Sequence, residues 1–104
     1  MRTVTIAIIL VLVLAGAAFA ADAAAGKTVY LAKCKGCHGA DGTPNATIAK
    51  MKGVTMKALG SKEVQAKSNA DLKKDSTAGV GKMLPVKLTD AEADNVVAFV
   101  RTLK

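Results

Sequence analysis

The sequence is poor in aromatic residues, cysteine and histidine. Its 104 residues include no Trp, one Tyr, two Phe, two Cys and one His. Two cysteines are too few for a disulfide-rich secreted scaffold. The length allows one small domain, which excludes a multi-domain enzyme, and a single long apolar run excludes a membrane protein with several spans. With 51% hydrophobic residues the chain is also too apolar for a disordered protein.

The apolar run lies at the amino terminus. Arg2 gives the first residues a positive charge, Ile6–Leu14 is unbroken apolar sequence, and Ala18–Ala20 fits the small-x-small cleavage pattern. We predict a signal peptide over residues 1–20, removed after Ala20, and export of the domain 21–104 to the periplasm. The alternative is an uncleaved anchor, but the apolar stretch is shorter than the roughly 20 residues that span a bilayer. Otherwise we expect at most peripheral membrane contact.

Residues 21–104 have few side chains from which to build a core. Without a disulfide, a bound metal or a similar cross-link, the core of a domain of this size rarely contributes more than about 3–5 kcal/mol to the stability of the fold. Tyr30 and Phe99 are the only aromatic residues of this part. A disulfide between Cys34 and Cys37 would close a very short loop and add little stability. The shortage of core therefore points to a bound cofactor.

The pattern of residues 21–104 is helical, with few β-branched alternations and no internal repeat. We predict helices over Ala23–Lys33, Ala46–Lys52, Ser61–Lys67 and Asn69–Lys74. Suitable N-caps for them are Asp22, Ser61 and Asn69. The glycines at 79 and 81 interrupt the pattern, so Lys82–Pro85 is not expected inside a helix.

The carboxyl-terminal helix has the clearest signal. Thr89 and Glu92 have the spacing of a capping box, in which each side chain accepts a hydrogen bond from the other residue's backbone N–H. A single apolar stripe at helical spacing follows: Val96, Phe99, Val100 and Leu103. We predict a mainly α-helical domain that ends in this helix.

Both cysteines and the only histidine lie in the pentapeptide Cys34–His38, CKGCH. This spacing is typical of c-type haem attachment, in which two thiols add to the haem vinyl groups and the adjacent histidine binds the iron. A thioredoxin-like site would need a βαβ context, and a zinc site would have only a carboxylate for its last ligand. We therefore predict one haem c bound covalently through Cys34 and Cys37, with His38 as proximal ligand.

A second axial ligand must come from another residue type, because the chain has no second histidine. Met51 and Met56 lie in partly helical segments, where methionine usually fills a core. Met83 lies in an extended loop framed by glycine and proline, which can reach the opposite face of the haem. We predict Met83 as this ligand; core packing is its alternative role.

From Ala24 to Lys104 the sequence resembles the class I monohaem cytochromes c, small bacterial electron carriers. The resemblance rests on the spacing G-x-x-x-Y-x-x-x-C leading into CKGCHGADG, on GKM-x-P and on the ending VVAFVRTLK. It implies an all-α class I cytochrome c fold, with short helices and loops around one covalently attached haem. It also implies that the amino- and carboxyl-terminal helices cross where Gly26 lets Phe99 approach.

The sequence departs from this family in two places. Leu84 separates Met83 from Pro85, where many relatives have Met-Pro, and the loop after the haem motif is short and lacks the usual Gly-Pro. Two roles therefore remain open for Pro44: its carbonyl accepts the His38 N–H, or the residue only forms a turn.

With both axial positions filled, the iron has no site for a substrate, so we expect electron transfer between Fe(II) and Fe(III) and no enzymatic activity. The alternative is a haem-based ligand sensor or a peroxidase-like enzyme in which Met83 is displaced. The chain has no second His, and no Arg between Arg2 and Arg101, for distal acid–base chemistry. A thiol-redox function of the two cysteines would be excluded by covalent haem.

The net charge is +7 at pH 7, of which Arg2 contributes one. Lys33 and Lys35 flank the haem motif, and Lys82 and Lys87 flank the methionine loop. We expect these lysines to meet near the haem edge and to steer acidic redox partners; any single lysine also serves solubility. Nucleic-acid binding is not expected, because residues 21–104 have two aromatic residues and no basic cluster. We expect a monomer.

Overall fold

A computed structural model describes residues 21–104, so the predicted signal peptide and its cleavage after Ala20 lie outside the described residues. The described chain forms α1 (Ala23–Lys33), α2 (Lys35–His38), α3 (Ala46–Lys52), α4 (Lys62–Gln65), α5 (Asn69–Ala78) and α6 (Asp90–Val100), followed by a 3-10 turn over Arg101–Leu103. No strand occurs in residues 21–104, only a bridge between Val80 and Met83. The predicted all-α class is confirmed. None of these helices is long and apolar enough to cross a membrane.

Each of these predicted helices is present. Both α1 and α3 have their predicted ranges, and Ser61 caps a shorter α4. The prediction for α5 is right at its first residue, Asn69, but wrong in its N-cap and in its last residue. Its N-cap is Ser68, whose hydroxyl accepts from the Asp71 N–H at 3.1 Å. The helix continues to Ala78 because no residue breaks it before Gly79, which has a φ of 79°.

The core lies where α1 crosses α6, the helix pair with the most extensive contact. The buried hydrophobic side chains of the described chain are Tyr30, Leu72, Ala93, Val96, Val97, Phe99 and Val100. The predicted stripe of α6 is thus buried except for Leu103, which is half-buried in the 3-10 turn. The predicted crossing of the amino- and carboxyl-terminal helices is confirmed.

Gly26 is the point at which the two helix backbones come closest to contact. A Cβ atom on Gly26 would overlap the backbone carbonyl of Asn95 and lie 2.9 Å from the Val96 nitrogen. Gly26 therefore admits the backbone of α6. The aromatic partner of Phe99 is Tyr30, one helical turn further along α1, with ring centroids 4.9 Å apart and an interplanar angle of 54°.

Polar contacts fix the ends of the two crossed helices. The capping box of α6 is present as predicted: Glu92 N–H donates to the Thr89 hydroxyl at 3.2 Å, and Thr89 N–H donates to the Glu92 carboxylate at 2.9 Å. At the start of α1, the Asp22 side chain accepts from the Ala25 N–H at 3.0 Å. The Asp22 N–H in turn donates to the Asn95 side chain at 2.9 Å, which ties this cap to α6.

Arg101 fastens the segment between α4 and α5 to the end of α6. Its guanidinium donates to the backbone carbonyls of Gln65 at 2.9 Å and Lys67 at 2.6 Å, and to the Asn69 side chain at 2.8 Å. The Gln65 amide also donates to the carbonyls of Leu59 at 2.8 Å and Val100 at 3.0 Å. These bonds hold the chain between the short helices, where few side chains are buried.

Gly26→Ala should destabilise the protein, because the methyl group would force the backbones of α1 and α6 apart. Overpacking in a closely packed site costs about 1–3 kcal/mol. We expect the free energy of unfolding to fall by at least that amount. Denaturant titration of the haem-containing protein measures this loss. Gly36→Ala is the matched control, since a Cβ there meets no atom within 4 Å. Equal stability of the two variants would contradict the close crossing.

Candidate haem site

The pentapeptide Cys34–His38 lies at the junction of α1 and α2. Cys34 ends α1 and also caps α2, and its N–H donates to the Tyr30 carbonyl at 2.8 Å. The N–H groups of Cys37 and His38 donate back to the Cys34 carbonyl at 3.3 Å and 3.0 Å. Side chains three positions apart in a helical turn lie on the same face. The fold therefore presents both thiols on one side of a single turn.

The two thiols are free and half-buried. Burial is the main cause that raises the pKa of Cys34, and the charge of Lys33 opposes it. A reactive redox cysteine needs a lowered thiol pKa, and no strand in residues 21–104 provides a βαβ context. Nor does any group of three or more His, Cys, Asp or Glu side chains in this part come close enough to hold a metal ion. The thiol-redox and zinc alternatives thus lose support.

His38 is half-buried, and burial lowers its pKa below the ordinary value. The imidazole is therefore neutral at pH 7, which is the form that binds a metal. Its Nδ1 atom is buried and has no hydrogen-bond partner among residues 21–104. Of the two roles left open for Pro44, the carbonyl acceptor is thus not found in this structure. A neutral imidazole that directly follows two free cysteines in the chain fits the attachment site of a haem.

Tyr30 holds the backbone that follows His38. Its hydroxyl donates to the Gly39 carbonyl at 2.6 Å and lies 3.4 Å from the His38 carbonyl. The residue is 1% exposed, and burial is the main cause that raises its pKa to about 12. The hydroxyl therefore remains a donor at neutral pH. The sequence placed Tyr30 at a helical spacing before Cys34, but no signal in it showed where the hydroxyl would bond.

Asn45 closes the short loop that follows the motif, a role that sequence reasoning missed. Its N–H donates to the Cys37 carbonyl at 2.9 Å, and its side-chain amide donates to the Gly36 carbonyl at 3.3 Å. The side-chain oxygen caps α3 by accepting from the N–H groups of Thr47 and Ile48. A Gly-Thr-Pro-Asn turn directly before a helix is the signal that could have identified this cap.

The Met83 loop leaves α5 at Gly79. The N–H of Val80 donates to the Met83 carbonyl at 3.1 Å, and the Met83 N–H donates back at 2.9 Å. A Cβ on Gly79 would lie 2.6 Å from the Met83 oxygen and 3.0 Å from Pro85 Cδ, so a glycine is needed for this tight loop. The expectation that Lys82–Pro85 lies outside a helix is confirmed.

The three methionines of residues 21–104 differ in environment. Met83 and Met56 are half-buried, whereas Met51 is 77% exposed. The expectation that Met51 fills the core is therefore wrong, and α3 as a whole buries no residue. Met83 and Met56 are the two methionines that the protein partly shields from water.

Two lysines bring the haem motif and the Met83 loop together. Lys33, next to Cys34, donates to the Lys87 carbonyl at 2.7 Å. Lys82, next to Met83, donates to the Lys52 carbonyl at the end of α3, also at 2.7 Å. The expectation that the lysine-bearing flanks meet is confirmed for Lys33 and Lys87. The end of α1, the end of α3 and the Met83 loop thus surround one region.

Comparison with known proteins identifies the family. Residues 23–104 match the family model described as Cytochrome c. The chain is 35% identical over 91 residues to cytochrome c-554(547) of Halothiobacillus neapolitanus, an alignment that covers 82% of this chain and all of that protein. The solved structure of the KustC0563 c-type cytochrome is similar with a TM-score of 0.66 and 32% identity, over 76% of this chain and 96% of that one.

Cytochromes c bind haem c covalently through two cysteines and carry electrons. Cys34 and Cys37 are the only cysteines of the chain and have the C-x-x-C-H spacing of that attachment. The match extends over nearly all of the described residues, including the crossed helices and the Met83 loop. The chain therefore belongs to the cytochrome c family.

Proposed function

We propose that residues 21–104 form a periplasmic monohaem electron carrier with His38 and Met83 as axial ligands. When bound, the haem supplies a one-electron Fe(II)/Fe(III) couple. Cys34 and Cys37 would hold the haem as thioethers, since addition of each S–H across one vinyl group would lose no atom. The observation that carries this proposal is the Lys33–Lys87 contact, which joins the haem motif to the segment that follows Met83.

The environments of the methionines favour Met83. It is half-buried and lies in a loop with a fixed turn, so its thioether can be held in place with little loss of conformational freedom. Met51 lies within α3 and not in a loop, which leaves Met56 as the other candidate outside a helix. A neutral imidazole and a thioether add no charge to the iron, and the weak thioether donor favours Fe(II).

The alternative is a ligand sensor or a peroxidase-like enzyme in which Met83 is displaced. The position of Arg101 argues against this alternative. This is the only arginine of residues 21–104, and its guanidinium is bonded to Gln65, Lys67 and Asn69 at the end of α6. It is therefore not available for distal acid–base chemistry. We propose that the protein is not an enzyme.

The partners proposed here are redox proteins with acidic docking surfaces. Lys33 and Lys82 donate to carbonyl groups, and Lys35 and Lys87 are exposed beside them. Such a field raises the encounter rate with an acidic partner. We propose that the protein acts as a monomer.

The double variant Cys34→Ala/Cys37→Ala should be largely unfolded. The buried side chains of the described chain lie at the crossing of α1 and α6, with one more in α5, and the apolar faces of the haem would supply the rest of the core. Far-ultraviolet circular dichroism during heating measures this. A native-like variant with a cooperative transition would contradict the role of haem as a core element.

Met83→Ala should abolish the weak long-wavelength absorption band from methionine sulfur to ferric iron, because no thioether would then reach the iron. Met51→Ala is the control and should keep the full band. A band that survives in Met83→Ala and disappears in Met56→Ala would assign the ligand to Met56. Covalent haem without this band in the natural sequence would support the sensor or enzyme alternative.

Reduction by an anionic one-electron reagent should slow as the ionic strength rises, whereas reduction by a cationic reagent should accelerate. Lys35→Gln should weaken both effects, because Lys35 is exposed within the haem motif. Lys74→Gln, on α5, removes the same charge away from the motif and serves as the control. Rates that do not respond to salt with either reagent would contradict steering.

A further inference from the structure

We infer that the Tyr30 hydroxyl is a positioning group for His38, which holds the backbone that carries the imidazole by bonding to the Gly39 carbonyl. This inference deepens the proposed function and rests on it, since the iron ligation by His38 is part of that proposal. The hydroxyl bonds to backbone carbonyls and not to the imidazole, so its effect on the iron ligand is indirect.

The Tyr30 hydroxyl makes a hydrogen bond that the aromatic ring alone could not make. The ring of Tyr30 packs against Phe99 in the buried crossing of α1 and α6, and a phenylalanine would fill the same space. A buried hydroxyl costs free energy unless it is hydrogen-bonded. Here it is bonded at 2.6 Å to Gly39, the residue immediately after the histidine. The polar atom thus connects the core of the protein with the haem motif.

The acceptor lies at the end of α2, where the Gly39 N–H still donates to the Lys35 carbonyl at 2.9 Å but the Gly39 carbonyl lies beyond the last helical bond. Gly39 ends α2 with a φ of 72° and a ψ of 163°. Its carbonyl receives only one further bond among the described residues, a long one of 3.4 Å from the Gly42 N–H. The Tyr30 bond is therefore the main restraint on this peptide group. The same hydroxyl also lies 3.4 Å from the His38 carbonyl.

His38 has little else to fix its orientation. Its Nδ1 atom has no hydrogen-bond partner in residues 21–104, so the imidazole lacks the direct contact that usually orients a metal-binding histidine. Its ring plane then depends on the backbone at positions 38 and 39. The hydrogen bond from Tyr30 restrains that backbone, and so it helps to orient the imidazole in place of the missing hydrogen bond to Nδ1.

The test compares two variants that each lose one hydroxyl. Tyr30→Phe removes the bond to Gly39 and keeps the ring. Thr102→Val removes a hydroxyl that donates to the Phe99 carbonyl at 2.6 Å, in the 3-10 turn that follows the other helix of the crossing. Each loss should change the unfolding equilibrium roughly two- to tenfold, the typical effect of one hydrogen bond. Stability alone therefore does not separate positioning from simple support of the fold.

The deciding measurement is the pattern of haem methyl shifts in the proton NMR spectrum of the ferric protein, since this pattern depends on the orientation of the axial imidazole plane. We expect a changed pattern in Tyr30→Phe and an unchanged one in Thr102→Val. An unchanged pattern in Tyr30→Phe would overturn the inference even if stability falls. Equal changes in both variants would overturn it too, because they would reflect a general loosening of the crossing.

A second route does not depend on the folding of Tyr30→Phe. Tyr30 is the only tyrosine of the chain, so growth with 3-fluorotyrosine alters this hydroxyl alone and makes it a stronger donor. The methyl pattern should then differ from that of the unlabelled protein, and an identical pattern would contradict the inference. A natural protein with haem but without histidine ligation would overturn the proposed function as well, and its own spectrum would reveal this before any variant is made.

Discussion

The crossing of α1 and α6 is the contact on which the rest of the structure depends. Gly26 lets the backbone of α6 come close, and Tyr30 then meets Phe99 one turn later. The carboxyl end of α1 leads directly into Cys34, so the crossing also sets the position of the haem motif. A small domain without disulfides thus uses one helix pair both as its core and as the support for its functional residues.

Elsewhere the chain is held mainly by polar contacts. The helices α2, α3 and α4 bury no residue, and α5 buries only Leu72. Asn45, Gln65 and Arg101 instead bond backbone groups of separate segments to one another. Most of these bonds are partly or fully exposed, and each adds little net stability. These short helices and polar contacts need a large apolar group to pack against, which agrees with the covalently bound haem of the family.

The sequence predicted those features whose signals are local. The capping box at Thr89, the bounds of α1 and α3 and the C-x-x-C-H motif each depend on residues a few positions apart. At the start of α5 two good caps, Ser68 and Asn69, stand side by side, and local preference cannot choose between them. The choice follows from a distant residue, because the Asn69 side chain accepts from Arg101.

The other unpredicted features are also long-range. The carbonyl that Tyr30 reaches and the backbone that faces Gly26 belong to segments whose placement depends on the whole fold. The resemblance to cytochromes c correctly implied a crossing at Gly26, and the structure adds that the atoms nearest to this glycine belong to the backbone of Asn95 and Val96.

The contacts on the two sides of the proposed iron site differ in kind. The backbone after His38 is held from within the core by Tyr30, a buried residue. The Met83 loop is closed by its own Val80–Met83 backbone bonds, and its ties to other segments include exposed contacts of the ammonium groups of Lys82 and, at Lys87 after the loop, of Lys33. Water competes with such exposed contacts. Local opening of a protein begins where buried contacts are few. If His38 and Met83 are the ligands, the methionine side is therefore the one that opens first, and any additional ligand chemistry would begin there.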